Sequence, residues 1–284
     1  MWLSIVTAVA TIGLKVGAAV VTGSVGFFSD ALESGVNLVA AVVGLIAVRI
    51  AARPADDNHH FGHGKAEYVS ALVEGAMIFV AATLIVVTSV QRLLAPQPLQ
   101  QVGLGLVLTL VASGLNLLVG LAVLRAGKRY RSAALAADGH HLLTDVWTSA
   151  GVVVGIAAVA VTGWYWLDPV LALAVGANIL WTGYRLLKQS LSGLLSAALP
   201  AAEVEELTGT LARFSHTHGV TFAPPRTVES GRHRHIYLVM GVPGHWSVID
   251  AHDIANQLEH TVDALFPGAE AFVHIEPDRD LTPH

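Results

Sequence analysis

Long apolar stretches separated by short polar breaks fill the chain up to about residue 195. Six of these stretches reach the ~20 residues that a helix needs to cross the hydrocarbon core of a bilayer. They cover residues 2–22, 26–50, 67–93, 100–125, 134–162 and 168–190. The pattern therefore predicts an α-helical membrane protein with six transmembrane helices.

Beyond Leu199-Pro200 the apolar runs give way to shorter, alternating patterns. Residues 201–214 and 247–266 have the periodicity of amphipathic helices, and residues 226–231, 233–242 and 269–277 read as strands. The order helix–strand–strand–helix–strand predicts a compact α+β domain similar to a ferredoxin-like half-sandwich. We therefore divide the chain into a six-helix transmembrane domain, residues 1–195, and a C-terminal domain, residues 200–284.

Two pairs of polar residues interrupt the apolar pattern of the second and fifth spans. Glu33 and Asn37 are four residues apart, and so are His141 and Asp145, so each pair lies on one face of its helix. Ionisable groups inside a membrane are costly and usually mark an ion or proton pathway. Together the pairs predict a metal site of one nitrogen and three oxygen ligands. The alternative is structural: Asn37 joins two helices by a hydrogen bond, and Glu33 pairs with Lys15.

A second cluster of metal-binding residue types lies in the polar loop after the second span. Asp56, His59 and His63 offer one carboxylate and two imidazoles within a short turn, and glycines on both sides of His63 indicate a constrained backbone. These residues predict a second metal site. A solvated loop with incidental histidines is the alternative.

The C-terminal domain contains further histidines that could bind metal. His274 and Glu276 are two residues apart on the last predicted strand and therefore point the same way. His252 on the preceding helix completes a possible set, while His233 and His235 share a face of another strand. Single surface histidines are more often inert, so this site is the weakest of the three.

Composition narrows the class of protein and of metal. Charged residues make up only 13% of the 284 residues, where a soluble domain has roughly 25%. A net charge of −5 provides no broad basic face for a nucleic-acid partner. The chain has no cysteine and three methionines, which disfavours soft-metal chemistry, whereas its 14 histidines favour zinc-like ions.

Orientation in the membrane follows from the distribution of lysine and arginine. These residues concentrate in the second and fourth connections and after the sixth span, and are absent from the first and fifth connections. Because such residues are retained on the cytoplasmic side, both termini are predicted to be cytoplasmic. The Trp164-Tyr165-Trp166 cluster fits the aromatic belt of the opposite interface.

Taken together, these motifs resemble those of the cation diffusion facilitator family. The resemblance rests on six spans, on the segments GSVGFFSDALESGVNL, RPADDNHHFGHGKAE and HHLLTD, and on the small His-bearing C-terminal domain. It implies a homodimeric, non-enzymatic transporter in a bacterial inner membrane that exports divalent transition metal from the cytoplasm in exchange for protons. It also implies a transport site at Glu33, Asn37, His141 and Asp145, a loop site at Asp56, His59 and His63, and a metal-sensing, dimerising C-terminal domain with His252, His274 and Glu276.

Three departures from the family pattern bear on function. The second-span motif of the family is usually His or Asp followed by Asp, whereas this chain has Glu33 and Asn37. The C-terminal domain lacks the family's histidines near Ala223 and Val239, and His233 or His235 would have to substitute. Some members pair the lysine equivalent to Lys65 with an acid after the sixth span, but Ser196 stands there.

The transport hypothesis assigns His141 and Asp145 to proton coupling, because metal ligands must be deprotonated to bind. Zinc is the metal that the histidine-rich sequence favours most, and iron(II), manganese(II) and cobalt(II) also suit one imidazole and three oxygens. A membrane metal sensor or scaffold that does not transport remains an alternative. A metallohydrolase would need a motif such as His-Glu-x-x-His, which the sequence lacks.

Overall fold

The computed structural model describes residues 2–130, 133–231 and 233–278. Six long helices come first: α1 (Trp2–Thr22), α2 (Val25–Ala51), α3 (Ala66–Leu94), α4 (Val102–Tyr130), α5 (Ala133–Thr162) and α6 (Leu167–Leu194). All six are long and apolar enough to cross a membrane, which confirms the predicted spans. The main difference is α4, which continues through residues 127–130, where a loop was predicted. An apolar pattern marks where a helix leaves lipid, and a helix continues beyond that point when its backbone bonds remain satisfied.

Two compact units make up the described chain. The first contains residues 1–45 and 70–187, and therefore most of the six helices. The second contains residues 46–69 and 188–284, so the loop between α2 and α3 belongs with the C-terminal domain. The loop and the domain thus form one body, which the order of the sequence does not suggest.

Small residues allow the helices of the first unit to approach closely. A side chain at Gly139 of α5 would meet the carbonyl oxygen of Gly120 in α4 at 3.0 Å. Such close contacts between small residues provide the packing that holds membrane helices together, since burial from water does not operate within lipid.

The first turn of α2 is capped by a residue from another helix. Asp168 at the start of α6 is 1% exposed. Its Oδ1 accepts hydrogen bonds from the Ser24 hydroxyl at 2.7 Å and the Gly26 amide at 3.0 Å, and its Oδ2 accepts from the Val25 amide at 3.0 Å. A carboxylate at a helix N-terminus satisfies free amides and complements the helix dipole. Asp168 therefore fixes α2, the helix that bears Glu33 and Asn37, to α6.

The C-terminal domain has the predicted α+β architecture, with one strand that was not predicted. Its elements are α7 (Ala201–His218), β1 (Thr221–Phe222), β2 (Arg226–Ser230), β3 (His233–Val242), α8 (Val248–Leu265) and β4 (Glu270–Pro277). β1 and β2 pair antiparallel with successive parts of one edge of β3, and β4 pairs parallel with the other edge. β1 has only two residues, too few to show a strand pattern in the sequence.

Both helices of this domain cover the same face of the sheet. The core joins Leu207 and Phe214 of α7 and Leu258 of α8 to alternate residues of β3, such as Ile236 and Leu238. A capping box between Ser247 and Asp250 begins α8. The residues between those core positions, including His235, His274 and Glu276, consequently belong to the face of the sheet that carries no helix.

Candidate functional site

Glu33 lies between two cavities of the helix bundle. The larger cavity, of about 460 Å³, is lined by Glu33 together with Asp30, Asp168 and Gly26, so it opens towards the start of α2 and α6. The other, of about 170 Å³, lies among α2, α3 and α6 and includes Glu33 and Asn37 in its lining. Neither lining includes Glu74, the further intramembrane acid of α3.

A third cavity contains the other residues of the predicted site. Asn37, His141 and Asp145 line a cavity of about 110 Å³, together with Ser4 near the start of α1 and Asp138 near the start of α5. This cavity therefore lies towards the opposite end of the bundle from the cavity that contains Asp168. Asn37 belongs to a cavity that also contains Glu33 and to the one that contains Asp145.

The four residues are near one another without forming a closed metal site. Glu33 and Asp145 are close enough to influence each other electrostatically, as are Asp145 and His141. Within residues 2–130, 133–231 and 233–278, three acidic or histidine residues with ligand atoms within 4.8 Å of one another occur in the loop after α2. They do not include any of these four residues. The ligand atoms of Glu33, His141 and Asp145 would have to come closer together to bind one ion.

Lys15 does not pair with Glu33, contrary to the structural alternative. Its ammonium donates hydrogen bonds to Asp30 Oδ1 and to the Ser34 hydroxyl, both at 2.8 Å, and Lys15 is 1% exposed. Glu33 is therefore left facing the cavities.

Two asparagines near the site were missed by sequence reasoning. Asn116 of α4 is 2% exposed and lines the cavity of His141 and Asp145, and its amide oxygen has no hydrogen-bond partner among the described residues. Asn178 of α6 lines both cavities that contain Glu33. Each is an amide within an apolar helix, which is the signal that could have identified it.

The loop residues Asp56, His59 and His63 form a compact cluster. Their ligand atoms lie within 4.8 Å of one another. His59 Nδ1 is 3.1 Å from Asp56 Oδ1, and His63 Nε2 is 3.4 Å from Asp56 Oδ2. One carboxylate and two imidazoles at this separation match a zinc site with a remaining open position.

The backbone around Asp56 holds its carboxylate in the ionised form. The amide of Asn58 donates to Asp56 Oδ1 at 2.9 Å, and this bond, followed by those from His59, holds the pKa of Asp56 below its ordinary value. The carboxylate is thus available to a cation at any pH near neutrality.

Contacts with the C-terminal domain hold this loop in place. Gly64 lies directly against the backbone of Ser230, where any side chain would collide. The Phe61 ring meets the buried His235 edge-on, with ring centroids 5.3 Å apart. Lys65 Nζ donates to the Ser196 hydroxyl at 2.9 Å. Within one copy of the chain, Lys65 therefore has a neutral partner in Ser196.

The predicted ligands of the C-terminal domain are divided between two layers. His274 Nε2 is 3.2 Å from Glu276 Oε1 on the helix-free face of the sheet, whereas α8, which bears the exposed His252, covers the opposite face. His235 is buried, with Nδ1 3.2 Å from Glu270 Oε2, and His233 is half-buried. The described part of one copy does not bring His252, His274 and Glu276 within 4.8 Å of one another.

Six apolar helices with acids and a histidine facing internal cavities define a multi-pass membrane protein of the transporter class. Comparison with known proteins names the family. Residues 1–195 match the cation efflux transmembrane domain, and residues 199–278 match the cytoplasmic domain of cation efflux proteins. The chain therefore belongs to the cation efflux, or cation diffusion facilitator, family. The family is one of transporters, and the activity of this chain is the efflux of divalent metal cations.

Curated relatives cover nearly the whole chain. The uncharacterized transporter sll1263 of Synechocystis is 48% identical over 278 residues, which are 98% of this chain and 89% of the relative. The cation-efflux pump FieF of Escherichia fergusonii is 32% identical, covering 90% of this chain and 84% of the pump. A solved structure of the putative zinc transporter CzrB in its zinc form is 26% identical in sequence. The match covers 30% of this chain and 96% of the CzrB chain. Its TM-score is 0.29, too low to bear on the fold.

Proposed function

We propose that this protein exports a divalent transition-metal ion from the cytoplasm in exchange for protons, with zinc as its main substrate. The ion is bound by Glu33, Asn37, His141 and Asp145. The carrier domain is residues 1–195, and both termini lie on the cytoplasmic side of a bacterial inner membrane. The observation that carries the proposal is the distribution of Glu33 and Asp145 between cavities at opposite ends of the bundle.

This arrangement suits alternating access. An ion that enters the cavity of His141 and Asp145 meets an imidazole and a carboxylate first, and Asn37 connects that cavity to one containing Glu33. A shift of α2 against α5 would then expose the ion to the cavity at the Asp168 end. Carriers change accessibility in this way by moving helices around a fixed site.

Proton exchange follows from the chemistry of the ligands. An imidazole and a carboxylate bind metal only when deprotonated, so protonation of His141 and Asp145 on the far side releases the ion. The protons are carried inwards when the empty carrier returns. Histidine suits this role because the ordinary pKa of imidazole, ~6.5, is close to physiological pH.

Metal preference depends on the ligand set. One imidazole with three oxygens is a harder site than one with two imidazoles, so iron(II), manganese(II) and cobalt(II) are the competing substrates. The loop cluster of Asp56, His59 and His63, which has two imidazoles, supports zinc.

We also propose that residues 200–284 sense metal and join two copies of the chain into a homodimer. The match to the cytoplasmic domain of cation efflux proteins supports this. Because one copy separates His252 from His274 and Glu276, a metal site that uses all three would have to draw on both copies.

Flux into proteoliposomes driven by a pH gradient tests the proposal, with zinc, iron(II), manganese(II) and cobalt(II) compared in parallel. We expect zinc uptake that requires the gradient and is abolished by a proton ionophore. If the protein binds metal but transports none of the four ions, it is a sensor or scaffold instead.

Two carboxylate variants locate the pathway. Glu33→Gln removes a charge from the proposed site, whereas Glu74→Gln removes the same charge from α3, outside the cavities that contain Glu33. We expect Glu33→Gln to reduce flux at least tenfold, which corresponds to about 1.4 kcal/mol, and Glu74→Gln to keep it within about twofold. Equal losses in both variants would contradict the assignment of Glu33.

A further inference from the structure

A buried network of polar side chains crosses α1, α2 and α5 next to the proposed transport site. Lys15 Nζ of α1 donates to Asp30 and Ser34 of α2 at 2.8 Å. The Ser149 hydroxyl of α5 lies 3.0 Å from both carboxylate oxygens of Asp30. All four residues are at most 8% exposed.

This network lies between cavities at opposite ends of the bundle. Asp30 lines the cavity of about 460 Å³ that contains Asp168, and Ser34 lines the cavity of about 110 Å³ that contains His141 and Asp145. Lys15 donates to both residues. A direct water path between these cavities on the side of α2 that faces α1 and α5 would have to pass through this group of side chains, whereas the cavity of about 170 Å³ that contains Glu33 and Asn37 lies towards α3 and α6.

Two residues of the network, Asp30 and Ser149, belong to α2 and α5, the helices that bear the proposed ligands. Asp30 precedes Glu33 by three residues and Ser149 follows Asp145 by four, so each lies one turn from a ligand on the same helix. The contact between Ser149 and Asp30 therefore joins α5 to α2 one turn away from the proposed ligands.

The two connections of Asp30 differ in strength. The bond to Lys15 is a buried ion pair, and removing one partner of such a pair leaves an uncompensated charge. The bond to Ser149 is made by a neutral hydroxyl, which adds much less to stability. Lys15 thus keeps α1 and α2 together, while the contact between α2 and α5 is the one that separates easily.

We propose that Lys15, Asp30, Ser34 and Ser149 form a partition that closes the direct route between the two cavities beside α1 and α5, and that the bond between Ser149 and Asp30 is the connection that opens when α5 moves against α2. Ser149 is on this basis a positioning residue for transport and does not touch the ion. The inference rests on the proposed transport function, since it concerns how that carrier alternates.

Thiol labelling tests the partition without requiring transport. The chain has no cysteine, so Ala174→Cys in the larger cavity and Ala41→Cys in the smaller one provide single reporters. The measured quantity is the ratio of their modification rates by a small thiol reagent in detergent. We expect Ser149→Ala to change this ratio about fivefold, the equivalent of one net hydrogen bond.

Two further substitutions separate this effect from simple loss of a buried hydroxyl. Ser149→Thr keeps the hydroxyl, and we expect it to restore the ratio to within about twofold of the parent protein. Ser89→Ala removes a buried hydroxyl that has no partner among the described residues, and we expect it to leave the ratio unchanged. The proposal is overturned if Ser149→Ala keeps the parent ratio, or if Ser149→Thr behaves like Ser149→Ala.

Transport kinetics provide a second readout. Ser149→Ala is expected to change the maximal rate of zinc flux about fivefold while the KM for zinc stays within about twofold, because Ser149 contacts no ligand atom. An equal change in KM would contradict the positioning role. If the parent protein shows no flux, the proposed function fails, whereas the labelling ratios still decide whether the partition exists.

Discussion

Asn37 is one of the residues at which this chain departs from the usual family pattern. An amide in place of a carboxylate lowers the negative charge of the proposed site by one and leaves Glu33 and Asp145 as its acids. A neutral oxygen donor attracts a divalent ion less than a carboxylate does, and it has no proton to release. Asn37 therefore bears on both metal preference and proton coupling.

We predict that Asn37→Asp increases zinc affinity about tenfold and changes the ratio of zinc to manganese flux, because the added charge strengthens binding while each ion responds differently to a harder ligand. Competition of the four metals in the flux assay measures this ratio. An unchanged ratio would show that the amide does not tune selectivity. Asn58→Asp, which adds the same charge in the exposed loop, is the control.

A substitution at Asn116 is expected to change the KM for zinc flux without lowering the melting temperature. Its buried amide oxygen lacks a partner among the described residues, so Asn116→Leu removes an unsatisfied polar atom and should leave the melting temperature unchanged or higher. The same change removes an amide from the lining of the cavity that contains His141 and Asp145. We expect the KM for zinc flux to rise by about tenfold, and a lower melting temperature would mean that Asn116 serves packing instead.

The loop between α2 and α3 is held so closely against the C-terminal domain that it behaves as part of that unit. Gly64 is pressed against Ser230, and Gly231, with a φ of +60°, is in turn pressed against the carbonyl of Gly64. Substituting either glycine would separate the two segments. This contact explains how a short surface loop presents Asp56, His59 and His63 in a fixed arrangement.

We predict that His63→Ala removes one bound zinc ion per chain, whereas His60→Ala, a change of the same kind in the same loop, does not. His63 is directed at Asp56, while the metal cluster does not include His60. Metal content after equilibrium dialysis measures both variants. Equal zinc content in the two would exclude the loop site.

The loop site should lose its metal when its imidazoles become protonated. Because hydrogen bonds lower the pKa of Asp56, that carboxylate stays ionised as the pH falls, and its protonation occurs only below its ordinary range. Protons and zinc compete for the same imidazole nitrogens. We therefore expect zinc occupancy of the loop to fall as the pH is lowered, with a midpoint that moves to lower pH when the zinc concentration is raised, and a midpoint that does not depend on the zinc concentration would contradict this.

The cap that Asp168 provides to α2 is the clearest example of one helix organising another. Asp168→Ala would leave three donors without their acceptor, and we predict a loss of about 2 kcal/mol in the free energy of unfolding. Thermal unfolding in detergent measures it. Asp57→Ala, in the exposed part of the loop, should leave the melting temperature unchanged, and equal melting temperatures for both variants would rule out the cap.

The arrangement of the complete chain in the membrane has its own test. The variants His60→Cys, in the connection between α2 and α3, and Trp166→Cys, in the connection between α5 and α6, provide single cysteines that are separated by three spans in the sequence. With both termini in the cytoplasm, we predict that a membrane-impermeant reagent outside the cell modifies Cys at position 166 and leaves position 60 unlabelled. Labelling of position 60 and not of position 166 would show the opposite orientation in the membrane and would contradict the proposed direction of transport.

Much of the architecture follows from the sequence because it depends on local patterns. Runs of apolar residues specify helices that cross lipid, where every backbone group must be satisfied within its own segment. Alternation and turn residues specify the strands and helices after Pro200. The spacing of Glu33 with Asn37 and of His141 with Asp145 places each pair on one helical face. None of these inferences needs knowledge of a distant contact.

What the sequence alone could not determine depends on contacts between distant segments. Lys15 could reach either Glu33 or Asp30, which are three residues apart, and only the packing of α1 against α2 selects Asp30 and leaves Glu33 in the cavities. The strand pattern placed His274 and Glu276 together, but only the layering of helix on sheet shows that α8, with His252, covers the other face. Helical periodicity determined the two polar pairs. The tertiary structure decided the network of Lys15, Asp30, Ser34 and Ser149 beside them, because burying an ammonium ion requires an acid at hydrogen-bonding distance.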